Sequence, residues 1–351
     1  MNLVAVVVTA VLLTSCSGAD SASTATSAAA SASTSAANVI TPVTGAVMDP
    51  PIPVPATDGK THLVYEVALT NPSPQRMTIR AVEVKGDGKS LLTLDQATLS
   101  NWLRVFGTSA PTDIFSPGQA GRLWLDVAVD ADAVPRTLSH VVTVAPEKPE
   151  PPLLPAQIAE PIAEVTVSDQ KPVEIAPPLR GAGWFDANGC CEITPHRGAA
   201  NPIDGSFWLA ERFAIDFVQL DPAGRLYVGD PTKVESYPYF DDDIHAVAPG
   251  RIVGLRDDLP EQTAGTAPTG LPLDQYAGNH IVQQIGDGRY VLYAHLTTGS
   301  LGGVKVGDDL TEGQTIAKLG NTDAPHLHFH VMSHRTRCGP KDSPTCSRRS
   351  T

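Results

Sequence analysis

The chain has 351 residues, enough for two domains, with 38 acidic against 25 basic side chains and a formal charge of −13. Phosphate recognition needs a basic face, so this balance argues against nucleic acid as a partner. Only the extreme C-terminal stretch, with Arg348 and Arg349, is locally basic, and such a tail usually stays solvated.

Residues 3–13 are almost wholly apolar, short for a membrane span, and lead into Leu13-Thr14-Ser15-Cys16. That tetrad resembles the lipobox of bacterial lipoproteins. The resemblance implies that Cys16 is lipidated, that residues 1–15 are a removable signal peptide, and that the protein is exported and lipid-anchored to the bacterial cell envelope. No Lys or Arg precedes the apolar run, and the competing reading is an ordinary secretory signal with a chance cysteine. Residues 17–38 are nearly all Ser, Ala and Thr and cannot bury enough apolar surface to offset chain entropy. The segment 16–47 therefore reads as a flexible tether, spanning on the order of 25 Å. Apart from Cys16, the cysteines are Cys190, Cys191, Cys338 and Cys346, an even set that suits disulfides in an oxidising compartment. Sequence neighbours rarely pair, so Cys190 and Cys191 are expected to reach outward to Cys338 and Cys346.

Residues 48–168 predict an all-β domain. Residues 62–71 alternate at period two and stop at Pro72; residues 77–84 follow, then the turn Gly86-Asp87-Gly88. Residues 120–129 and 138–144 repeat the pattern, and short strands between turn signals suggest an Ig-like β-sandwich. Its two histidines, His62 and His140, form no chemical constellation, so it reads as a spacer or binding module. Proline is frequent over 145–178, with one short strand expected at 163–167, and residues 169–178 are taken as the linker.

The domain 179–351 is again β-rich. Residues 245–253 bend at Gly250, and residues 279–295 form a hairpin about Gly286-Asp287-Gly288. Near its end stands Pro325-His326-Leu327-His328-Phe329-His330-Val331. On a strand, His326, His328 and His330 share one face while Leu327, Phe329 and Val331 take the other. Three imidazoles on one face of an apolar strand suit metal binding or proton transfer. Asp216, inside the apolar run Phe213-Ala214-Ile215-Asp216-Phe217, needs a partner, because an unpaired buried charge is costly. The acidic run Asp241-Asp242-Asp243 lacks the spaced oxygens of a calcium loop, and His245, His280 and His334 read as structural.

Tyr293-Ala294-His295-Leu296, Val306-Gly307-Asp308, Gly313-Gln314, Leu319-Gly320-Asn321-Thr322 and Pro325-His326-Leu327-His328-Phe329 together resemble the lysostaphin-type (LytM-like, M23) metallopeptidases over about 205–332. The resemblance implies a β-rich domain of the duplicated-hybrid-motif type. It also implies zinc as cofactor, peptidoglycan as partner, and cleavage of cell-wall peptide bonds by metal-activated water. Carried over residue by residue, it gives Asp216 and His328 as zinc ligands and His295 and His326 as catalytic histidines. The stretch Asp323-Ala324-Pro325 before His326 is shorter than in many relatives, which shortens the expected groove wall.

One position departs from the pattern. The family places a ligand histidine four residues before the aspartate, and this chain has Arg212 there. A guanidinium stays protonated and offers no lone pair, so Arg212 cannot bind zinc. Three readings follow: His196 or His330 supplies the third ligand; two protein ligands hold metal weakly; or Arg212 pairs with Asp216 in place of the metal. Two functions follow in turn, a zinc metallopeptidase of the envelope or an inactive M23-like scaffold that binds cell wall or regulates another wall hydrolase.

Overall fold

The computed structural model describes residues 40–333. Its first part is built from β1 (Thr44–Val47), β2 (Pro53–Pro55), β3 (Thr61–Thr70), β4 (Met77–Gly86), β5 (Lys89–Asp95), α1 (Gln96–Trp102), β6 (Leu103–Val105), β7 (Ile114–Phe115), β8 (Ala120–Val129), β9 (Thr137–Pro146) and β10 (Ile158–Thr166). These strands make two five-stranded sheets, β1-β3-β8-β6 with β2 beside β3, and β10-β9-β4-β5 with β7 beside β4. The four runs read from alternation are β3, β4, β8 and β9, and the Gly86-Asp87-Gly88 turn joins β4 to β5. Asp87 and Gly88 both have positive φ there, the conformation a tight hairpin demands.

Period two explains the packing. Leu63, Tyr65, Val67 and Leu69 of β3 and Leu123, Leu125 and Val127 of β8 meet Ile79, Val82 and Val84 of β4 and Val142 and Val144 of β9 in one core. The outward positions of β3 and β8 are buried too: Glu66 is 0% exposed and Trp124 2%. The second domain covers this part of the outer face, where Arg212 meets Glu66 and the Arg197 carbonyl meets Trp124.

Two boundaries differ from the sequence reading. β1 lies inside the stretch taken as tether, because residues 44–47 pair with β3, Val47 opposite Val67. β10 starts at Ile158, before the expected 163, and pairs along β9, so the middle of the proline-rich stretch is a sandwich strand. Pro161 sits in β10, whose other side lacks a strand partner, where a missing N–H costs no ladder bond.

The second part comprises β11 (Trp184–Ala187), α2 (Pro195–Gly198), β12 (Asn201–Ile203), β13 (Ser206–Trp208), β14 (Ile215–Gln219), β15 (Asp243–His245), β16 (Gly250–Arg256), β17 (His280–Gln284), β18 (Tyr290–Ala294), β19 (Asp309–Leu310), β20 (Thr315–Lys318) and β21 (Leu327–Met332). Seven strands form one antiparallel sheet in the order β11-β14-β21-β18-β17-β16-β19, and β12-β13 and β15-β20 are separate pairs. The fold is all-β, as the strand patterning predicts. Leu327 and Phe329 enter a core with Ile281, Val291 and Tyr293, which leaves the histidines of β21 on the opposite face.

Cys190 and Cys191 are bonded to each other, not to distant cysteines. This corrects the expected pairing; Cys338 and Cys346 lie outside the described residues, as do Cys16 and His334. The peptide between Cys190 and Cys191 is cis and their Cα atoms stand 3.0 Å apart.

His140 of β9 shows how the sandwich tolerates a buried imidazole. Its Nδ1 lies 3.0 Å from the Ala163 carbonyl, which can only accept, so Nδ1 donates and Nε2 accepts from Tyr65 Oη at 2.8 Å. Burial holds His140 below its ordinary pKa, keeping this neutral tautomer. Tyr65→Phe leaves Nε2 buried without a donor, and urea unfolding of the full chain should show a loss of about 1–3 kcal/mol.

Candidate metal centre

Sheet register assembles the site. Asp216 of β14 pairs directly with His328 of β21, and His328 pairs in turn with Ala294 of β18, just before His295. Side chains at paired positions share a face. Residues 216 and 328, far apart in sequence, therefore project together, and His326 joins them two residues before His328; His295 follows the end of β18 off the strand alternation, and its ring comes beside those of His326 and His328.

Asp216 is the hub, with a side chain only 14% exposed. His328 Nδ1 lies 3.0 Å from its Oδ1, His326 Nε2 3.4 Å from the same oxygen, and His196 Nε2 3.2 Å from Oδ2. Asn188 Nδ2 donates to Oδ2 at 2.8 Å. Burial works against ionisation of Asp216, but the three imidazoles outweigh it and hold the carboxyl well below the usual carboxylate range. Conversely, burial disfavours charge on His196 and His326, and Asp216 overcomes it to raise both above the ordinary histidine value.

Tautomers follow from the backbone. His196 Nδ1 faces the Ala214 carbonyl at 3.1 Å and must donate, so in the neutral ring Nε2 presents a lone pair toward Asp216. His326 Nδ1 donates likewise to the Ala324 carbonyl at 2.7 Å. His328 Nε2 meets His330 Nδ1 at 3.1 Å. His330 thus lies behind His328 and does not reach Asp216. Burial holds His330 well below the usual pKa, with His328 and His196 adding to the effect, and its Nε2 is buried without a hydrogen-bond partner.

His295 occupies the left-handed region at φ 61°. A non-glycine residue holds that conformation where its surroundings dictate it. Here its N–H donates to the Ala277 carbonyl at 3.1 Å and its carbonyl accepts from Gly320 N at 2.9 Å. The ring stands 4.6 Å from His326 and 5.8 Å from His328, centroid to centroid. Burial, then the neighbouring His326 and His328, push its pKa well below the ordinary value, and its Nδ1 is buried without a partner.

Two donor sets fit a cation among the described residues: His196, Asp216 and His328, and His295, His326 and His328. The first contains a carboxylate and offsets a dication's charge. Ligands on a tetrahedral zinc stand about 3.3–3.6 Å from each other, given bonds of about 2.0–2.2 Å. The His196–Asp216 and His328–Asp216 separations of 3.2 and 3.0 Å approach that spacing with no cation imposing it. The donor chemistry, two imidazoles and a carboxylate, suits zinc.

The sequence-derived set converges except at two positions. His196, not His330, stands beside Asp216. Arg212 points away from Asp216 altogether: Nη1 pairs with Glu66 Oε2 at 2.7 Å and Nη2 with Asp49 Oδ2 at 2.8 Å. This overturns the reading in which Arg212 replaces the metal's charge. His245 and His280 hydrogen-bond to Thr315 and to the Gly278 carbonyl, consistent with structural roles. Lys318 spans Asp241 and Asp243, and neither donor set includes the acidic run. Sequence reasoning missed Asn188; the only available signal was the Asn188-Gly189 turn, whose first residue has φ 57°.

Residues 240–340 match the model for Peptidase family M23, a stretch that contains His295, His326 and His328 but neither Asp216 nor His196. No curated protein matches the chain. Among solved structures it is similar to a zinc containing peptidase from Vibrio cholerae at 13% identity and TM-score 0.26, covering 83% of this chain and 85% of that one. It is also similar to Csd3 from Helicobacter pylori at 11% identity and TM-score 0.25, covering 79% and 77%. The SpoIIQ–SpoIIIAH pore forming complex matches at 17% identity and TM-score 0.28, covering 45% of this chain and 82% of that one. Likeness at these scores carries no argument; what the comparisons show is a Peptidase family M23 match confined to residues 240–340.

Proposed function

We propose that this protein is a zinc metallopeptidase of the bacterial cell envelope that hydrolyses peptide bonds of peptidoglycan, held by a lipid on Cys16. The observation that carries the proposal is His196 Nε2 standing 3.2 Å from Asp216, with His328 on the other carboxylate oxygen. It supplies the third ligand that Arg212 cannot. His196, Asp216 and His328 would hold the metal. Zinc supplies Lewis acidity for the attack of water on an amide.

The chain's own residues supply the rest. His326 donates through Nδ1 to a carbonyl, which leaves Nε2, 3.4 Å from Asp216 Oδ1, as the nitrogen that can take part in proton transfer. His295, kept neutral by burial, can accept a proton or donate a hydrogen bond to developing charge. The wall substrate and the anchor rest on the M23 match and on the lipobox-like tetrad.

Metal analysis of the purified, dialysed chain should find one zinc per molecule, lost in His196→Ala, Asp216→Asn and His328→Ala while circular dichroism is unchanged. Zinc retained by His196→Ala would sink the ligand assignment. His295→Ala and His326→Ala should keep zinc and lower peptide release from cross-linked peptidoglycan by roughly 10²–10⁴-fold. A zinc-loaded wild type that releases nothing, yet sediments with the wall, would favour the scaffold.

Zinc affinity should also depend on pH. Asp216 raises the pKa of His196, so on acidification a proton occupies Nε2 and competes with the cation. Affinity is expected to fall as pH drops below that raised value, by about tenfold per unit for each proton displaced. Chelator competition between pH 8 and 6 reads this directly; a flat profile contradicts it.

A further inference from the structure

Of the three proposed ligands, two are placed by the sheet of the second domain itself, since Asp216 and His328 are register partners on adjacent strands. His196 is not. It sits on α2, a helix of four residues, and so short a helix has little stability of its own. What holds α2 is the sandwich.

We propose that the β-sandwich is a working part of the metal centre: by clamping α2 it positions His196 and so sets the affinity of the site for a divalent cation. This rests on the reading of His196 as a ligand. Successive helical residues point about 100° apart, so His196 can face Asp216 while Arg197 faces elsewhere. Arg197 is 1% exposed; its Nη2 donates to the Leu125 carbonyl of β8 at 2.9 Å and its Nη1 to the Cys191 carbonyl at 3.1 Å. The last carbonyls of a helix have no partner within it. Here Trp124 Nε1 of β8 donates to the Arg197 carbonyl at 2.9 Å, and the Arg122 guanidinium donates to the Gly198 carbonyl. Arg122 and Trp124 of one sandwich strand thus satisfy the free end of α2, and Leu125 of the same strand holds the Arg197 side chain.

A second clamp lies at the other end of the connecting segment. Arg212 is bound by Glu66, whose side chain is fully buried in β3, and by Asp49. The carbonyl that orients His196, that of Ala214, lies between this clamp and Asp216. Both ends of the 196–212 segment are therefore fastened to the same sheet, and the residue standing where a ligand was expected now fastens the substitute. Arg197, Trp124 and Glu66 are positioning residues. Reciprocity of linkage requires that a metal on His196 stabilise the docked sandwich as much as docking strengthens metal binding.

The test uses the full chain with zinc or cobalt as the probe. Trp124→Phe keeps an aromatic ring but removes the indole N–H and part of the ring; Glu66→Gln keeps shape and removes the charge opposite Arg212. Each should weaken zinc binding by about 10–100-fold, the usual effect of losing a group that orients a ligand. In each, the visible spectrum of bound cobalt should move toward that of His196→Ala, while thermal unfolding of the metal-free protein shows both domains folded. Unchanged affinity and an unchanged cobalt spectrum in both variants overturn the positioning role alone. A wild type that binds neither metal overturns the ligand reading and this inference with it.

Discussion

A carboxylate taken out of water must be met by positive charge or by several hydrogen bonds. Asp216 is met by both: three imidazole nitrogens within 3.4 Å and the amide of Asn188. The arrangement around it depends on that demand. The carboxylate draws His196 from one segment and His326 and His328 from another, and its charge is what allows a dication to be accepted among otherwise neutral ligands. A second set of groups then aligns the first. Ala214 and Ala324 select the tautomers of His196 and His326, and His330 faces the far nitrogen of His328. Such outer contacts turn a cluster of side chains into a directed donor set.

Arg212 shows how one substitution redistributes roles. A guanidinium cannot ligate, yet it is well suited to a buried, hydrogen-bonded ion pair. It takes that part with Glu66 and Asp49. Glu66 would be a costly buried charge in an isolated sandwich; facing Arg212 across the domain boundary it becomes specific glue. The two domains are thereby joined at residues that flank the Asp216 cluster, with Arg122, Trp124 and Arg197 continuing the contact.

Much of this was legible in the chain itself. Alternation at period two located β3, β4, β8 and β9, and it placed His326 and His328 opposite Leu327 and Phe329, because side-chain direction on a strand is a local property. The Gly86-Asp87-Gly88 hairpin is local in the same sense. The start of β10 was hidden, since Pro161 and the prolines around the strand mimic a linker and its pairing with β9 is not a local signal. Cys190 and Cys191 misled because the general rarity of neighbouring pairs says nothing about the loop that holds them.

The amino-acid order by itself determined the all-β class, the charge that disfavours nucleic acid, and the presence of imidazoles and a carboxylate suited to zinc. It also determined that Arg212 could be no ligand, because protonation is a property of the side chain alone. Only the tertiary structure brought His196, and not His330, to Asp216. His196 lies 20 positions before Asp216 and carries no periodic signal; its place depends on a short helix gripped by a sheet from another domain. Contacts between distant segments arise from packing, which local pattern does not encode.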